Sequence, residues 1–95
     1  MKPYDILNEI KLGIIFELNE AKIEGFPLLQ ESELARRLNV HPSTISKNAK
    51  DLVRLGFIKI KRIESGKGKP KYYSLDEKNM KWKIIVDALE KIARK

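Results

Sequence analysis

A chain of 95 residues with 42% apolar side chains is enough for one small hydrophobic core and too short for two. It contains no cysteine, which excludes a disulfide framework, a thiolate metal site and thiol redox chemistry. Its formal net charge of +7 favours a polyanionic partner.

The first element expected is a helix from Tyr4 to about Asn19, with Pro3 where a first-turn proline is tolerated. At the helical spacing Ile6, Leu7, Ile10, Ile14 and Leu18 form one stripe, while Leu12, Ile15 and Phe16 project from the far side. A helix apolar on two sides is either central to its domain or shared with a second subunit. Gly13 costs roughly 1 kcal/mol relative to alanine in mid-helix, so it marks a place where another element comes close.

The stretch from Glu24 to Leu29 breaks the helical period, and Pro27 confines any strand there to a sheet edge. A second helix is expected from about Glu31 to Leu38, burying Leu34, Ala35 and Leu38, with Asn39 and Pro42 bracketing its end. A third starts near Pro42 or Ser43 and runs to Leu55, where Gly56 stops it. From Phe57 to Ile63 apolar and basic residues alternate as in a strand covered on one face, and Lys71 to Leu75 returns beside it. The turn between them, Glu64 to Pro70, carries Lys67 and Lys69 at its tip. A last helix is expected from about Asp76 to Arg94, acidic at its start and basic at its end as the helix dipole prefers.

The charge is concentrated. From Arg36 to Lys71 eleven Lys and Arg face only Asp51 and Glu64, a local net charge of +9 that leaves the remainder at −2. Within this block the third helix has two faces. Taking Ile45 as the reference direction, Ala49, Leu52 and Gly56 lie within about 40° of it, whereas Ser43, Lys47, Lys50 and Arg54 cluster opposite, with Thr44 and Ser46 on the flanks. Short hydroxyl side chains near a helix N-terminus let the backbone approach base edges or phosphates closely, and the cations further along reach phosphate oxygens. The amides of the first turn add partial positive charge.

Other residues have plainer readings. His41, just before this helix, is either a phosphate contact or a tolerated polar residue in a turn. GKGKP lacks a Ser/Thr after its lysine and a strand-to-helix context, so it is no nucleotide-binding loop. Tyr72 and Tyr73 point to opposite sides of their strand, one of them into the core. Trp82 reads as a packing anchor rather than a ligand cage. In the last helix Trp82, Ile84, Ile85, Val86, Ala88, Leu89, Ile92 and Ala93 spread over about 200°, wider than the stripe of about 100° that covers one side of a small domain, so two neighbours are expected. No nucleophile, base and orienter arrangement is visible, which argues against an enzyme, and no cofactor is expected. The basic residues do not line one amphipathic helix, which disfavours a membrane surface. With no run long enough to cross a bilayer and no signal-peptide pattern, the expected location is the cytoplasm, in association with the nucleoid.

The run SELARRLNVHPSTISKNAKDLVRLGFIKIKR, followed by ESGKGKPKYYSLDEK, resembles the winged helix-turn-helix transcription regulators of the MarR and ArsR type. The matching parts are Glu33-Leu34-Ala35, Ser43-Thr44-Ile45-Ser46, Leu52 through Gly56-Phe57-Ile58, the Gly66 to Pro70 tip and Tyr73-Ser74-Leu75, together covering about residues 28 to 78. There are two departures. Gln30 stands where the family usually places Thr or Ser as a helix cap, with Ser32 as a substitute, and the cysteine-rich ligand sets of metal sensors are missing, with His41 the only histidine.

The resemblance implies an α+β, mostly α, fold: a three-helix core and β-hairpin wing over residues 1–75, then a C-terminal dimerisation helix over 76–95. It implies a homodimeric, sequence-specific regulator that binds double-stranded DNA, with the third helix in the major groove and the basic wing at the minor groove or backbone. The expected DNA contacts are Arg36, Ser43, Thr44, Ser46, Lys47, Lys50, Arg54, Lys67, Lys69 and Lys71, with Arg37 as a further backbone clamp. The expected subunit contacts are Ile6, Ile10, Trp82, Ile85, Val86, Leu89 and Ile92. The competing readings are an architectural nucleoid protein without sequence preference and a winged-helix module that binds an acidic protein.

Overall fold

The computed structural model describes residues 8–63 and 70–93. The chain order is α1 (Glu9–Ile23), β1 (Leu29–Gln30), α2 (Glu31–Leu38), α3 (Pro42–Arg54), β2 (Ile58–Arg62), β3 (Lys71–Leu75) and α4 (Lys81–Ala93). The strands form one antiparallel sheet in the order β1-β3-β2.

Helix α1 starts later than its apolar pattern suggests. Asn8 is extended, and its side chain accepts the Lys11 backbone N–H at 2.8 Å, so an asparagine cap sets the start at Glu9. The helix then continues past Asn19 to Ile23. Ile14, Ile15, Leu18 and Ala21 are all buried, and α2, α3, α4 and β3 all pack around α1, which is why its apolar residues occupy more than one face. A Cβ added to Gly13 would lie 2.8 Å from Leu38 Cδ2, so the glycine is where α2 closes on α1.

Helix α2 has the expected limits, but the substitute cap Ser32 does not act. Gln30 is the N-cap residue without a side-chain hydrogen bond, and Ser32 lies inside the helix. At the other end Asn39 takes a left-handed conformation (φ 56), and the Val40 N–H reaches the Ala35 carbonyl at 3.0 Å. Helix α3 closes in the same way: Gly56 has φ +86, and the Phe57 N–H reaches the Leu52 carbonyl at 3.0 Å.

Strand β2 faces the helices with Ile58 and Ile60, and β3 with Tyr73 and Leu75. Strand β1 is a two-residue edge strand, consistent with Pro27 before it. The core is Ile14, Ile15, Leu18, Leu34, Ile45, Leu52, Ile58 and Tyr73 with smaller neighbours, Trp82 and Val86.

Helix α4 begins at Lys81, five residues after the expected start, and has no acidic residue in its first turn. Asp76 forms a turn instead. Its carboxylate accepts the N–H groups of Lys78 and Asn79 at 3.0 and 3.2 Å, its own N–H donates to the Phe57 carbonyl, and its carbonyl accepts Trp82 Nε1–H at 2.9 Å.

Candidate nucleic-acid interface

The site starts at the N-terminus of α3. Pro42 occupies the first turn, where its missing N–H costs nothing, and His41 caps the helix: its Nδ1 accepts the Ser43 N–H at 3.1 Å and lies 2.8 Å from Ser43 Oγ. His41 is thus engaged in fixing the helix start. This role is not legible in the sequence, because histidine is not among the usual capping residues.

Along α3, Ile45, Ala49 and Leu52 are buried, while Ser43, Lys47, Lys50 and Arg54 are exposed; Thr44 and Ser46 are half-buried at the edges. Lys47 and Lys50 have no ion-pair partner among the described residues. Arg54 does: its guanidinium lies 3.2 Å from Asp51, whose other oxygen holds the largely buried Lys11 of α1 at 3.1 Å. Asn48 ties the helix to the start of α1, donating to the Thr44 carbonyl at 2.8 Å and accepting from Asn8 at 3.1 Å.

The base of the hairpin sits beside α3. Lys71 Nζ donates to Ser46 Oγ at 3.3 Å, and Lys71 is paired in register with Arg62, which places both on the helix-facing side of the sheet. Arg62 was not among the residues expected in the site. The available signal was its break in the apolar-basic alternation, which moves it to the face of Ile58 and Ile60. Lys67 and Lys69 lie outside the described residues.

Arginines 36 and 37 of α2 are both held by carboxylates of the same chain. Arg36 is exposed and bonded to Glu33; Arg37 reaches Glu33 at 3.1 Å and Glu17 at 3.3 Å. Hydrogen bonds first from Arg36 and then from Arg37 hold the Glu33 carboxyl below its ordinary range.

The residues expected between subunits separate into two groups. Trp82 and Val86, one helical turn apart on the same face of α4, are buried in the chain's own core against α1 rather than facing outward. Ile10, Ile85 and Leu89 are half-buried. Ile84 and Ile92 are 75% and 69% exposed and share an outward stripe with exposed Ala88. Ile6 lies outside the described residues. Among the described residues no His, Asp or Glu cluster is placed to hold a metal ion, and no helix is long and apolar enough to cross a membrane.

Three helices, an antiparallel sheet whose hairpin flanks the third helix, and an added terminal helix define a winged helix-turn-helix protein. The sequence matches no family profile and no curated protein. Solved structures do match. A transcriptional regulator homologue protein from Pyrococcus horikoshii OT3 superposes with TM-score 0.74 at 18% identity, covering 99% of this chain and 89% of that one. Reduced HlyU from Vibrio cholerae N16961 gives 0.67 at 25% identity, with 90% and 77% covered. Streptococcus pneumoniae FabT in complex with DNA gives 0.68 at 17% identity; 98% of this chain is covered, which spans 59% of FabT.

Proposed function

We propose that this protein is a transcriptional regulator that binds double-stranded DNA as a homodimer, laying α3 in the major groove and the hairpin along the adjoining backbone or minor groove. One observation carries the reading: a helix bearing exposed Ser43, Lys47 and Lys50 has the paired cations Lys71 and Arg62 of the wing base immediately beside it. A duplex backbone carries dense negative charge, and such a rim neutralises it along a line. The fold shared with FabT, which has been solved on DNA, supports the same reading.

In this arrangement Ser43 and Lys47 stand nearest the bases, while Lys50, Arg54, Lys71 and the wing lysines Lys67 and Lys69 hold phosphates. Arg36 extends the contact if its guanidinium leaves Glu33. A twofold dimer reads an inverted repeat whose half-site centres lie one helical turn, roughly 34 Å, apart.

A second reading, architectural binding without sequence preference, is favoured by a specific feature of α3. Ser46 is occupied by Lys71 and Thr44 is half-buried, so most of the fully exposed α3 side chains are cations suited to phosphates.

The test is selection of bound fragments from a random duplex pool, followed by titration of selected and scrambled duplexes against salt. The regulator reading expects preference for the selected duplex by at least about 10³-fold. It also expects Lys47→Ala/Lys50→Ala to flatten the salt slope by about 1.8 units. Equal affinities with the flattened slope establish the architectural role, and absence of any duplex binding at low salt overturns both.

A further inference from the structure

The sheet has a second face, turned away from the helices. Alternation along β2 and β3 puts Lys59, Lys61, Tyr72 and Ser74 there, and Gln30 of β1 joins them. The register aligns three of these in one row: Lys61 is opposite Tyr72, and Tyr72 is opposite Gln30. Adjacent strands lie about 4.8 Å apart, so an ammonium, a phenol ring and an amide share one patch. Lys59, Lys61 and Gln30 are exposed and Tyr72 is half-buried; none of these side chains has a hydrogen bond or ion pair among the described residues.

Edge protection explains part of this. Strand β2 is an edge strand, and lysines on such a strand discourage pairing with another chain. Tyr72 is on the central strand, where there is no edge to guard, and its ring lies on the side away from the core. An aromatic ring between a cation and an amide on an open sheet suits an unpaired base: the ring stacks, the amide meets the base edge and the lysines hold neighbouring phosphates. A duplex keeps its bases stacked inside and gives the ring nothing to meet. An acidic peptide uses the lysines and leaves the ring idle.

We propose that this outer sheet face, centred on the Lys61, Tyr72, Gln30 row with Lys59 beside it, binds single-stranded nucleic acid. The surface lies on the opposite side of the sheet from α3, so the proposal holds whether or not α3 binds duplex.

The experiment is fluorescence anisotropy of a labelled oligothymidine of about 12 nucleotides with the full chain at low salt. Tyr72→Leu is expected to weaken binding about tenfold while Tyr72→Phe retains it. Lys59→Ala/Lys61→Ala should weaken it and flatten the salt slope by about 1.4 units. In the α3 variant Lys47→Ala/Lys50→Ala, Tyr72→Leu should still weaken oligomer binding about tenfold, and circular dichroism confirms that each variant is folded. The proposal is overturned by no binding of the oligomer, by loss in the α3 variant but not the sheet variants, or by a folded Tyr72→Leu variant that binds unchanged, which would reveal a plain charge patch.

Discussion

The phenol of Tyr73 donates to Glu31 Oε1 across 2.7 Å, joining the central strand of the sheet to the first turn of α2. Because Gln30 provides no side-chain cap, this bond is one of the few polar ties at the start of α2. Tyr73→Phe is expected to lower stability by about 2 kcal/mol in urea denaturation, since a bond to a carboxylate is lost beside a buried ring. Burial, and then the Glu31 carboxylate, push the phenol above its ordinary value of 10.0. A raised folded value means the contribution is fully present below the unfolded value and is lost as pH rises above it. The wild-type chain should therefore lose stability above about pH 10 more steeply than Tyr73→Phe; identical alkaline profiles would contradict the bond.

Glu33 provides the acid counterpart. Its folded value is lowered by Arg36 and Arg37, so its contribution is present above the ordinary value of 4.5 and is lost as pH falls through the folded value. Thermal unfolding followed from neutral pH into acid should show a shallower decline for Glu33→Gln than for the wild type. The difference should shrink in high salt, because this carboxylate is solvent-screened.

Gly13 and Leu38 are predicted to be coupled. Alanine at position 13 gains roughly 1 kcal/mol of helix propensity but must displace Leu38 Cδ2, and overpacking costs typically 1–3 kcal/mol. Gly13→Ala should be mildly destabilising alone and stabilising in a Leu38→Ala background. Equal effects in both backgrounds would show that α2 does not close on this glycine.

The outward stripe of α4 carries the dimer prediction. Ile84→Glu combined with Ile92→Glu should convert the proposed dimer to a folded monomer by light scattering, since both side chains are exposed in the single chain. Trp82→Ala instead opens a cavity beside α1 and should cost about 3 kcal/mol or more. An unchanged mass for the double variant would remove the α4 dimer.

The parts legible in sequence were those carried by local pattern. The two faces of α3, the limits of α2, the hairpin and the stop at Gly56 all follow from periodicity or from a residue that tolerates positive φ. The starts of α1 and α4 depart from the apolar pattern because side-chain caps and turns compete with propensity: Asn8 caps α1 ahead of Glu9, and Asp76 closes a turn that delays α4 to Lys81. The site residues divided in the same way. Exposure of Lys47 and Lys50 followed from their angular position, but engagement of Arg36 by Glu33, Ser46 by Lys71 and Ser43 by His41 did not.

The sequence alone determined which helix turns its cations outward and which strand alternates, because a side chain's direction in a regular element depends only on its spacing from its neighbours. Tertiary structure decided which charges remain available. Asp51 meets Lys11 from another helix, and Lys71 meets Ser46 across 25 positions of chain. Pairing energy depends on distance in space, and only the packed core sets that distance.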